Sequence, residues 1–244
     1  MVSTLTAGLT AATVERLDVY ARYSLGCPPE RARRGGVTVL ATRERAFPVW
    51  HGYTMPIVGL SFVEGAVVSA RPDLVERLCT EMGSDVRLPR LDAAAERRLR
   101  RAIQRSLPNA FTLGGDLRAA DAVTFRPTET IDRAELVDRA DPAALHLRPR
   151  FDGELFGVRG PRERVVSWAA LKLKTSDVWE IAVATDTDYR GRGYARDVVA
   201  AATRHTLDHG RIPIYVHDRD NTTSAFVSRS LGYQLYAGIA LGEY

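Results

Sequence analysis

Tyr189-Arg190-Gly191-Arg192-Gly193-Tyr194-Ala195 is the stretch of this 244-residue chain whose residue types and spacing point most directly to chemistry. Gly191 and Gly193 permit unusual backbone angles and close approach, so successive N–H groups can converge on one anion. Arg190 and Arg192 add charge of the right sign. A helical run follows, with Ala195, Val198, Val199 and Ala202 on its apolar stripe and Gly210 as its stop. The start of such a helix turns its positive dipole end to the same spot. Glycines alone would be weak evidence, because turns use them everywhere. A strand, two arginines, two glycines and a helix start together form an anion cradle suited to phosphate.

Three phosphate-binding loops compete for that reading. A P-loop needs Gly-Lys followed by Ser or Thr, which this stretch lacks. A Rossmann loop wants a third small residue where Arg196 stands, and several further βα units for which too little chain remains. The third is a pyrophosphate loop for coenzyme A. Elsewhere, His205 and His209 have the spacing of a zinc pair, but Thr206, Leu207 and Asp208 between them lack the Glu of a zincin motif and no third ligand is evident. They are expected on a solvated helix face. Cys27 and Cys79 lie far apart and are expected as reduced thiols, so no metal is implied.

The elements that must position the loop are regular. Leu155 to Val158 and Val165 to Lys172 alternate as an antiparallel pair around Gly160-Pro161, and Trp179 to Thr185 is a third strand. Tyr194 to His209 is a helix, Ile212 to His217 a strand, Thr222 to Ser230 a helix closed by Gly232, and Tyr233 to Tyr236 a last strand. Ile131 to Asp138 is a short helix before them. This order gives an α/β or α+β layer fold. Upstream, Thr10 to Leu25 is a helix ended by Cys27-Pro28-Pro29. Val37 to Ala41, Ile57 to Val63 and Ala66 to Ala70 are strands, Asp73 to Met82 is a helix stopped at Gly83, and Leu91 to Ser106 is another helix. Pro108 to Pro127, with Gly114-Gly115, is expected to join the halves, giving domains of residues 1–120 and 121–244.

Composition narrows the class. With 45% hydrophobic and 26% charged residues, the chain is of ordinary globular make-up. Its formal charge of +4 rests mainly on arginine, but Arg97, Arg98, Arg100 and Arg101 have no interleaved aromatic rings, so no nucleic-acid groove is expected. No apolar run is long enough to cross a bilayer and the first residues do not form a signal peptide, so no membrane is expected and the cytoplasm is the default.

Arg190-x-x-Gly193-x-Ala195 resembles the Gln/Arg-x-x-Gly-x-Gly/Ala motif of the GNAT superfamily of acyl-CoA-dependent N-acetyltransferases. Val178-Trp179-Glu180-Ile181-Ala182-Val183 is similar to the family's fourth strand, which often carries a Glu. Asn221, Ala225 and Leu231-Gly232-Tyr233 resemble its closing helix. The resemblance spans roughly Arg148 to Tyr236 and implies a mixed central sheet flanked by helices. Residues 1–120 would then be a wall of the acceptor site or a degenerate copy of the same fold.

The resemblance also implies acetyl-CoA as cosubstrate. Its pyrophosphate would rest on Arg190, Gly191, Arg192, Gly193, Tyr194 and Ala195, and its pantetheine arm on Ile181, Ala182, Val183, Ala184 and Thr185, with Asn221 and Ser224 at the closing helix. A neutral amine would attack the thioester directly, with Glu180 as base. Asn221 is otherwise a helix cap, Glu180 a salt-bridged carboxylate, and His217 a further base. The proton donor to sulfur is usually a Tyr; that position here is Ser228, whose hydroxyl is far less acidic than a phenol, so Tyr233, Tyr236 or water is the substitute, or the thiolate leaves unaided. The acceptor would be a primary amine of a small molecule or amino acid, with the protein acting as monomer or homodimer. A protein N-terminus or lysine is the alternative acceptor, and a non-catalytic acyl-CoA sensor the alternative class.

Overall fold

Thr10 caps the first helix, α1 (Ala11–Leu25), by accepting from the Thr13 amide, and Gly26 ends it in the left-handed conformation with φ 68°. Buried Val14, Leu17, Ala21 and Leu25 recur at helical spacing and fix the face that packs inward. The computed structural model describes residues 8–50, 52–82, 93–138, 140–147 and 150–243. Gly83, Leu91 and Arg148, three of the boundaries expected from the sequence, lie outside the described residues.

After α1 come β1 (Gly36–Ala41), the short hairpin β2 (Pro48–Trp50) and β3 (Tyr53–Thr54), and the hairpin β4 (Ile57–Ser61) and β5 (Gly65–Ala70). Helices α2 (Val75–Met82) and α3 (Ala93–Ser106) lead to β6 (Phe111–Ala119). The second half holds β7 (Glu135–Leu136), β8 (Leu155–Arg159), β9 (Val165–Leu173), β10 (Val178–Thr185), α4 (Tyr194–Asp208), β11 (Ile212–Asp218), α5 (Thr222–Ser230) and β12 (Gln234–Glu243).

Apart from the β2–β3 hairpin, the strands form one ten-stranded mixed sheet in the order β1-β5-β4-β12-β6-β11-β10-β9-β8-β7. Among the described residues, only β1–β5 and β10–β11 pair in parallel. Side chains alternate across it as a strand's period of two requires. Val58, Leu60, Leu117, Val178 and Ile214 face α1 in one core. On the other face Ile57 and Val68 pack with Leu78, Leu99 and Ile103 of α2 and α3, while Ile181 and Tyr215 pack with Val198 and Val199 of α4 and with Val227 of α5. The fold is therefore α+β, a mixed sheet flanked by helices. No helix among the described residues is long and apolar enough to cross a membrane.

Three sequence expectations change. The stretch expected to join the halves contains β6, which lies in mid-sheet between β11 and β12. Gly114-Gly115 marks a close approach rather than a turn: a Cβ on Gly115 would sit 1.8 Å from the His217 carbonyl oxygen. The last strand does not end at Tyr236 but continues through Gly238 and Gly242 to Glu243. Ile131 to Asp138 is a single 3-10 turn (Ile131–Arg133) followed by β7, not a helix.

Candidate active site

β10 and β11 run in register only from Val178↔Ile212 to Glu180↔Ile214. Beyond that point β10 stays paired with β9 as far as Thr185, and β11 stays paired with β6 as far as Asp218. The two parallel strands therefore part, and β10 leaves a backbone edge without a strand partner on the side facing β11. A cavity of about 390 Å³ occupies this fork. Ile181, Ala182 and Val183 line it from β10, and Tyr215 to Asp218 from β11. Tyr20, Tyr23 and Ser24 of α1, Arg45, and Ile239, Leu241 and Glu243 of β12 close it from the other side.

At the far end of β10, Thr187–Tyr189 makes a 3-10 turn and the glycine loop follows. Gly191 and Gly193 have φ of 76° and 84°, angles that favour glycine over any L side chain. Gly193 is the N-cap of α4, and the Arg196 and Asp197 amides already close on its carbonyl. The amides of Gly191 to Ala195 donate to no backbone carbonyl among the described residues. Arg190 is anchored to the Thr185 carbonyl at 3.2 Å and Arg192 to that of Asp188 at 3.2 Å, with the Arg192 guanidinium over the Tyr189 ring. Free amides, a helix start and two exposed arginines thus converge, as an anion of phosphate type requires.

Glu180 lies in the fork, where strand pairing stops. Lys172 Nζ donates to its Oε1 at 2.9 Å, and Lys174 Nζ is 3.4 Å from Oε2. Burial alone would raise its pKa, but the two ammonium groups outweigh that and hold it at about 2. Glu243 shares the cavity and has no ion pair within 4 Å among the described residues. Its pKa is raised, because burial and Glu180 together overcome the two lysines. Nothing in the sequence singled out Glu243, which sits at the end of an apolar strand.

Of the other expected site residues, Asn221 and Ser224 line the cavity. Asn221 also caps α5 by accepting from the Ser224 amide at 2.9 Å. The Ser224 hydroxyl is 2.9 Å from the Tyr215 phenol, giving a hydroxyl pair on the cavity wall. Ala184 and Thr185 lie beyond the cavity on the way to the loop. Ser228 and Tyr233 are not brought to it. Ser228 is fully buried and donates to the Ala225 carbonyl at 3.1 Å, while the Tyr233 phenol is 2.6 Å from Thr203 and its pKa is driven up by burial. His217 has both ring nitrogens engaged: Nδ1 with the Asp218 carbonyl at 2.9 Å, and Nε2 with the Arg118 Nε–H at 3.3 Å. A carbonyl can only accept and a guanidinium can only donate, so the tautomer is fixed and no lone pair is left for a base's role.

Residues 158–237, which contain the fork, the loop and both flanking helices, match the family model for GNAT acetyltransferase. This stretch is a GNAT acetyltransferase domain. Solved structures similar to the chain include a GNAT-family protein from Novosphingobium aromaticivorans, with 18% identity, a TM-score of 0.47 and coverage of 55% of this chain and 64% of that one. A GCN5-related N-acetyltransferase-like protein from Streptococcus suis shares 19% identity, with a TM-score of 0.45 and coverage of 62% and 69%. One from Kribbella flavida shares 18%, with a TM-score of 0.41 and coverage of 61% and 74%. The chain thus spans less than two thirds of the length of the first of these. No curated protein matches the sequence. The GNAT match does not reach β6 or α1, yet both complete the GNAT domain's own sheet and cavity.

Proposed function

We propose that the chain is an N-acetyltransferase that moves the acetyl group of acetyl-CoA to a primary amine of a small molecule held in the cavity. The observation that carries the reading is the parting of β10 from β11 beyond Glu180↔Ile214, over a cavity walled by both halves. The thioester supplies an activated acetyl group. The Gly191–Ala195 amides with Arg190 and Arg192 suit its pyrophosphate, and the unpaired edge of Ile181 to Thr185 suits the amides of its pantetheine arm.

The amine must lose a proton before it can attack. Glu243 is the better base, since its raised pKa lies closer to neutrality than the value of about 2 at Glu180. Glu180 serves as fixed countercharge, keeping Lys172 and Lys174 in place beside the reacting groups. The amide N–H groups of the β10 edge are placed to stabilise negative charge on the acyl oxygen. For the departing sulfur, the Tyr215–Ser224 hydroxyl pair replaces the tyrosine expected at position 228.

A protein N-terminus or lysine as acceptor fits less well, because α1 and β12 cover the fork that a polypeptide would have to enter. The test is calorimetric titration with acetyl-CoA, beside Arg192→Glu, followed by coenzyme A release over a panel of amines. Binding that the variant weakens by about tenfold or more supports the loop's role, since a reversed charge there opposes the phosphates. Absence of binding by the unaltered protein would sink the reading.

A further inference from the structure

Arg45 sits in the turn Arg43–Ala46 between β1 and β2, and its side chain is turned inward, with only 4% of the residue exposed. Nη1 donates to the Met55 carbonyl at 3.3 Å and Nη2 to the Ser24 carbonyl at the end of α1. Nε is buried and has no acceptor. No carboxylate lies within ion-pair distance of the guanidinium among the described residues. An arginine stays charged in proteins, so the cavity wall carries a buried cation satisfied only by neutral carbonyls. Burial lowers its pKa, and the Glu44 carboxylate, outside ion-pair distance, offsets this only in part.

The other cations on the cavity wall have carboxylates beside them, with Glu243 sharing the cavity with the two lysines. Lys172 and Lys174 share Glu180, and Asp218 faces Arg100 at 3.4 Å. Tyr20, on the face of α1 that lines the fork, feels both Arg45 and the Glu180–Lys174 pair, so the unmatched cation and the reacting groups share one neighbourhood. A bare amine or polyamine would bring further positive charge to a wall with a cation to spare. A guanidinium fork is matched instead by a planar carboxylate.

Building on the acetyltransferase reading, we infer that the acceptor is an amino acid or related amine bearing a carboxylate, and that Arg45, from outside the GNAT domain, selects it by binding that carboxylate. Arg45 is here a binding residue, and the amine end of the same molecule lies toward Glu243.

The test measures binding by calorimetry and turnover by coenzyme A release, using the twenty common L-amino acids, each beside its α-amide. In the 244-residue chain saturated with coenzyme A, the preferred amino acid should bind at least about 30-fold more tightly than its amide, the size expected for a buried charge pair. Arg45→Met should collapse that ratio toward one, and Arg45→Lys, which keeps the charge but loses the fork, should retain part of it. Undiminished acetyl-CoA binding by both variants shows that they are folded. No preference for any acid over its amide, or a preference unchanged in Arg45→Met, overturns the inference. Failure of the unaltered protein to bind acetyl-CoA would instead strike the acetyltransferase reading, so the two failures are distinct.

Discussion

Glu180 and Glu243 line one cavity beside the same two lysines, but only Glu180 receives both ammonium groups directly, and this divides their roles. A carboxyl held at about 2 is ionised throughout the working range and is too weak a base to deprotonate an ammonium well. Glu243, with its pKa raised, is a stronger base. Glu243→Gln should therefore lower kcat by roughly 100-fold or more while changing acetyl-CoA affinity little, and should flatten the acidic limb of the pH–rate profile. A variant retaining full kcat would exclude the assignment. Glu180 has its consequence in stability. Its folded pKa of about 2 lies below the ordinary glutamate value of 4.5, so its stabilisation is complete above the unfolded value and is lost as pH falls from there through about 2. Melting temperatures of the unaltered protein should drop across that window. Glu180→Gln should be less stable at neutral pH, by on the order of 3 kcal/mol, because two ammonium groups lose the carboxylate they share, and its acid limb should be shallower. Equal acid limbs in the two proteins would show that Glu180 is not held as described.

At the scale of elements, legibility follows how local the signal is. The loop at Arg190 to Ala195 and the helix after it could be read because φ-demanding glycines, charges and a 3.6-residue stripe lie consecutively in the chain. Their structure agrees to within a residue or two. β6 was illegible for the opposite reason. Glycine pairs in sequence signal turns, and only the approach of the β11 backbone reveals why Gly115 must lack a side chain. At Gly238 a Cβ would meet the Ser61 side-chain Oγ at 2.3 Å, and the last strand was expected to stop two residues earlier, at Tyr236. That error concealed Glu243. Arg45, Tyr20 and Tyr215 were missed because none belongs to a motif; a sheet order that interleaves the two halves brings them together. The family resemblance places a proton donor by counting from Asn221. Here that count lands on Ser228 in the core, while the hydroxyls on the cavity wall belong to Ser224, one helical turn earlier, and to a neighbouring strand.

The whole molecule behaves as one sheet shared between two stretches of sequence, and that arrangement makes a strong demand. β6, from the first half, supplies hydrogen-bond partners to β11 on one side and β12 on the other. α1 covers the opposite face, with Leu17 and Ala21 packed in the same core as Ile214 and Tyr236. Its polar ties also cross between the halves: the Tyr236 hydroxyl donates to Asp18 at 2.7 Å, and Arg16 pairs with Asp177 at 3.1 Å and donates to the Gly210 carbonyl at 2.9 Å. A fragment beginning at residue 121 would expose β11 as an edge, leave β12 with neither of its partners β4 and β6, and strip α1 from an apolar face. It would also lose the α1 and Arg45 side of the cavity. Such a fragment should therefore show no sharp thermal transition, give weak near-ultraviolet circular dichroism and tend to associate, whereas the full chain melts cooperatively. Adding residues 8–120 as a separate polypeptide should restore a cooperative transition to the extent that β6 finds its place between the two strands. If the fragment alone folded cooperatively and bound acetyl-CoA as the full chain does, the first half would be a dispensable neighbour. Substrate selection by Arg45 would then lose its structural basis, because the domain could close its cavity without α1 or β6.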